Sequence, residues 1–71
     1  MSMTRKHFTA IANVLKANVD YQRSIIKQNE HDRAAQGALL ALSTVATELG
    51  IELRNHNPQF HPQTFLEACG F

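Results

Sequence analysis

Apolar residues recur at three- and four-residue steps along most of this chain, the period of a helix with one buried face, and strand-like alternation is absent. The first stripe is Phe8, Ile11, Ala12, Leu15 and Val19, with Thr4 placed to cap its helix. Asn tolerates a left-handed helix end and Asp is a favoured cap, so Asn18 and Asp20 predict a corner. Further on, Ala35, Leu39, Leu42, Ala46, Leu49 and Leu53 form a heptad seam flanked by Ala38 and Val45. A central helix from Arg33 to Asn55 would be about 34 Å long. Gly50 weakens it locally, but Leu49 and Leu53 hold the seam in phase. Continued backwards, the seam meets Tyr21, Ile25, Gln28 and Asp32. Two of these four are polar, so residues 20–31 read as a separate helix or as a less buried extension of the central one. Pro58 forces Asn57 out of helical geometry and ends the run.

The last dozen residues are marked at both ends. Pro62 suits a first helical position, His61 takes the cap, and Phe60 and Phe65 then occupy the two places of a hydrophobic staple. Gly70 can adopt the left-handed conformation that stops a helix, which places Phe71 to fold back on Leu66. Such local specification predicts a docked tail. The expectation is an all-α single domain over 1–71, a small three- to four-helix bundle with helices near 4–18, 20–31, 33–55 and 62–69.

Composition narrows the function classes. At 71 residues the chain buries only about 60% of its unfolded surface, so its stability is marginal and a partner subunit would help it. Cys69 is the only cysteine, which excludes an internal disulfide and suits a reducing, cytoplasmic setting. Seven basic and six acidic residues leave a formal charge of +1, far from the basic footprint that phosphate recognition needs. The longest apolar run, Gly37 to Leu42, is well short of a membrane span, and the start lacks the apolar core of a secretory signal. Met1-Ser2-Met3 leaves room for a natural start at Met3.

Candidate chemistry does not outweigh simpler explanations. His56, His61 and Cys69 are the only cluster of metal-type ligands and with His7 would number four, but their spacing matches no usual zinc pattern, and no metal or cofactor is expected. Nucleophilic catalysis would need Cys69 beside a histidine in a pocket that so small a core scarcely accommodates, so no catalytic residue is assigned. The cations Arg5, Lys6, Lys16, Arg23, Lys27, Arg33 and Arg54 are scattered and mixed with acids. A helix-turn-helix would carry polar base readers where the central helix is mostly apolar, which disfavours nucleic acid.

Two stretches carry a family likeness. Thr4-Arg5-Lys6-His7-Phe8 opens the chain, and Asn57-Pro58-Gln59-Phe60 followed by Phe65-Leu66-Glu67-Ala68-Cys69-Gly70 closes it. The chain resembles a group of small phage and prophage proteins that open T-R-K-x-F and end N-P-x-F-x-x-x-x-F-L-x-A-C-G. The likeness covers the two ends, somewhat under half of the chain. Family members often carry Asp at the position of His61 and a shorter middle than residues 20–34. The resemblance implies a phage origin and a helical fold, and no activity.

The central helix also carries Ala38, Leu40, Val45 and Ile51, more apolar circumference than one short partner helix covers. Tyr21, Ile25 and Ile26 add a second apolar cluster, rimmed by Arg23, Lys27 and Glu30. Excess apolar surface marks an interface. The expectation is therefore a binding protein in which Tyr21, Ile25, Ile26, Arg23 and Lys27 meet a host or phage protein, or form a homodimer, in the host cytoplasm without a membrane. A small DNA-binding regulator is the alternative.

Overall fold

The computed structural model describes residues 4–71, and Met1 to Met3, with the candidate start at Met3, lie outside the described residues. Among the described residues three helices pack together: α1 over Arg5–Gln28, α2 over Arg33–His56 and α3 over Pro62–Ala68. Helices α1 and α2 form an antiparallel hairpin within an envelope of 41 × 18 × 18 Å, and α3 lies across one end of it.

The corner expected at Asn18 and Asp20 is not there, because α1 runs through both residues. Residues 20–31 are neither a separate helix nor an extension of the central one. Helix α1 continues because the buried series Phe8, Ala12, Leu15 and Val19 goes on in phase to Gln22 and Ile26, with Val19 fully buried. The two supposed corner residues find helical partners instead. The Asn18 amide donates to the Val14 carbonyl at 2.8 Å, and Asp20 pairs with Lys16 one turn back at 2.9 Å.

The same Asn-to-Asp chemistry makes the turn eleven residues later. Asn29 leaves helical geometry, its Oδ1 accepts the His31 N–H at 3.2 Å, and its carbonyl accepts the Asp32 N–H at 3.0 Å. Asp32 then caps α2 by accepting the Ala35 N–H at 2.9 Å. Asn57 repeats the device after α2, its Oδ1 accepting the Gln59 N–H at 3.2 Å.

At the start of α1, Thr4 is the cap residue, and its backbone N–H donates to His7 Nδ1 at 3.0 Å. His7 thus takes the place that Glu or Gln holds in a capping box.

The expected tail is present. Phe60 and Phe65 pack with ring centroids 5.6 Å apart, and Phe60 meets Phe8 of α1 at 4.8 Å, so three rings tie α1 to the α2–α3 connection and α3. Gly70 has φ +96°, the Gly70 N–H donates to the Glu67 carbonyl and the Phe71 N–H to the Leu66 carbonyl, each at 3.0 Å, a Schellman end. The core comprises Ala12, Ala46, Leu53, Phe65 and Cys69, with Phe8, Ile11, Leu15, Leu49, Leu66 and Phe71 packed around it. Of the α2 seam, Ala35, Ala46 and Leu53 are buried and Leu39, Leu42 and Leu49 half-buried, whereas Val45, expected beside the seam, is 49% exposed.

Candidate interaction surface

The charges of α1 between Ala10 and Gln28 are segregated. Lys16, Asp20, Arg23 and Lys27 fall within an arc of roughly 60° on a helical projection, and Arg5 falls on the same arc. This flank receives the tail. Around Gly70 lie Val19, Lys16 and Arg23, and Arg23 donates to the Gly70 carbonyl at 2.6 Å with its guanidinium 5.6 Å from the Phe71 ring centroid. Arg23 is therefore a clasp on the end of the chain.

Val14 and Tyr21 lie about 160° around α1 from Lys16 and Arg23, on the side facing away from α3. They are 64% and 59% exposed. Ile25, half-buried, continues the same flank, and Ala10, Ala17, Asn18, Ser24 and Gln28 complete it without a charge. On α2 the reference point is Gly50, against which Pro62 and Phe65 of α3 pack. Val45 lies about 140° around from it, also turned away from α3. The back of the hairpin is thus a face of two helices bearing Val14, Tyr21, Ile25, Ala38 and Val45, with no charged residue on α2 from Ala34 to Thr47. Leu40 and Ile51, 70% and 54% exposed, stand apart on the outer edge of α2.

Of the five residues expected to bind a partner, the structure brings Tyr21 and Ile25 together on this face. Ile26 turns to the buried flank with Val19, one heptad away, while Arg23 and Lys27 lie on the tail side. Val14 and Val45 complete the patch. Val45 was already among the surplus apolar residues of the central helix, and the signal for Val14 lay in its seven-residue interval to Tyr21 and in the gathering of α1 charges on the other flank.

Helix α2 contains an 18-residue window of mean hydropathy 1.3, long and apolar enough to cross a membrane by length and composition, and only 17% of that window is buried. Its hydroxyls are satisfied internally: Ser43 and Thr44 donate to the Leu40 carbonyl and Thr47 to the Ser43 carbonyl.

An open cleft of about 540 Å³ lies between α1 and α3, lined by Phe8, Ala12, Phe60 and Phe65 with Arg5 and His61 near them. Among the described residues, no three His, Cys, Asp or Glu side chains converge as metal ligands. His56 sits 3.1 Å from Glu52, His7 is used at the α1 cap, and Cys69 is buried, where desolvation pushes its thiol pKa above the ordinary 9.0. A thiol held protonated in an apolar core is a poor nucleophile.

Comparison of this chain with known protein families, with curated protein sequences and with solved structures gives no match, so the back face stands on its own geometry.

Proposed function

We propose that this chain is a non-enzymatic phage or prophage accessory protein that works in the host cytoplasm by binding another protein and inhibiting or modulating it. The observation that carries the reading is the uncharged back face, where Val14, Tyr21 and Val45 are about half or more exposed on the side α3 leaves bare. Large apolar side chains gathered on one face of a small protein support an interface, with aromatic anchors such as Tyr21 at its centre. The phage setting rests on the resemblance of the chain's two ends.

A small DNA-binding transcriptional regulator is the alternative, favoured by the alignment of Arg5, Lys16, Arg23 and Lys27 on one flank of α1. Against it, Lys16 is paired with Asp20, Arg23 is engaged with the tail, and the net charge is only +1.

Affinity capture from lysogenic host lysate at low and high salt, beside binding to a DNA fragment, separates the two. The interaction reading expects a discrete protein retained at both salts and little DNA. Tight DNA binding that collapses with salt, with no retained protein, would favour the regulator.

A further inference from the structure

We propose that the back face is covered by a second copy of this chain, in a homodimer where two hairpins pack face to face as a four-helix bundle with α1 of each copy over α2 of the other. The inference rests on reading this face as an interaction surface and names its occupant.

Charge argues for a self-association. Between Ala10 and Gln28 on α1 and between Ala34 and Thr47 on α2 the face is neutral. It offers nothing to an anionic polymer, and it matches the charge-depleted centre of a protein interface. Its charges sit at the end away from the 29–32 turn, with opposite signs on the two helices. Lys6 falls three turns before Ala17 on the back flank of α1, and Glu52 two turns beyond Val45 on that of α2. Lys6 has no ion-pair partner among the described residues, and Glu52 has only the exposed His56.

Only one of the two face-to-face two-fold arrangements uses this pattern. With the axis across the hairpin, each α1 lies on its own copy with ends reversed, and Lys6 meets the neutral turn end. With the axis along the hairpin, like ends meet and α1 lies over α2, so Lys6 of one copy faces Glu52 of the other, twice. Every neighbouring helix pair is antiparallel in both arrangements, so the helix dipoles favour face-to-face packing itself and the Lys6–Glu52 match selects the axis. A standard interface covers about 800 Å² per partner, a modest part of the 5317 Å² that one chain exposes.

Sedimentation equilibrium across the micromolar range tests the proposal on the whole chain. The parent should exceed its monomer mass of 8.0 kDa and approach twice that value. Val45→Glu and Tyr21→Glu should each return it to monomer with unchanged circular dichroism. Leu40→Glu, at a more exposed position on the outer edge of α2, should leave the dimer intact. Lys6→Glu or Glu52→Lys alone breaks both copies of the pair and should weaken association about two- to thirtyfold, twice the range of one exposed ion pair, and the double exchange should restore it.

A parent of 8.0 kDa at every concentration overturns the dimer, as does a Leu40→Glu variant that dissociates as readily as Val45→Glu. Failure of the double exchange to recover overturns the arrangement with the axis along the hairpin. Flotation of a monomeric parent with phosphatidylglycerol vesicles, lost in Tyr21→Glu, would assign the face to a membrane instead. A monomer that still captures a host protein sinks this inference alone. A dimer that captures none sinks the accessory function and leaves the dimer standing.

Discussion

Gly70 is the residue on which the tail's geometry turns. At φ +96° an L side chain is strained, and its Cβ would also stand 3.4 Å from the Val19 side chain. Gly70→Val should therefore lower the melting temperature clearly more than Gly70→Asn, since Asn enters the left-handed region more readily. Equal losses would mean that Val19 crowding, rather than the backbone, sets the cost. Gly37 is the opposite case. It is exposed in mid-helix, and a methyl added there meets nothing within 4 Å. Gly37→Ala should raise stability by up to about 1 kcal/mol by helix propensity alone, read from urea melts. Cys69 sets a pH limit. Burial raises its folded pKa, so the folded state holds its proton longer than the unfolded state does. Stability should then fall as pH rises through 9.0 and above, and Cys69→Ala should flatten that part of the profile.

At the scale of the element, α1 is a single rod, and proline tests it. Asp20→Pro would remove a helical hydrogen bond and clash with the preceding turn, at about 3 kcal/mol or more, enough to unfold a marginal domain in a thermal melt. Were residues 18–20 a corner, the same change would be mild. Much of the helical content was legible in the sequence: the end of α2 at Asn57-Pro58, both ends of α3 and the α2 seam are local signals of periodicity and capping. The turn was harder to read because Asn18/Asp20 and Asn29/Asp32 offer the same cap chemistry. What decides between them is tertiary, namely whether Val19 must stay in phase with Leu15 and Ile26 in a shared core. The polar Gln22 in that series hid the answer. The back face was legible only in part, because Tyr21 and Ile25 are read from one helix, while their grouping with Val45 depends on which side α3 takes.

For the whole molecule, α3 is the third wall of a core that α1 and α2 close on only two sides. Phe65 is 4% exposed and packs at a tilt against Phe60, which packs at a tilt against Phe8. Phe65→Ala should cost roughly 3 to 5 kcal/mol, by loss of the ring and the cavity it leaves. A melting curve that overlays the parent's would show that the tail contributes nothing to stability.

Because α3 covers one end of the 41 Å hairpin, the fold is three helices thick there and two helices thick toward the 29–32 turn. Amide hydrogens should report that taper. Those around Ala12, Ala46 and Leu53 open only with the global transition, while those near Ile25 and Leu39 exchange through cheaper local fraying of the helix pair. In the proposed dimer, raising the protein concentration should slow both sets, since the second copy must leave before the turn end frays beneath it and before the whole chain unfolds.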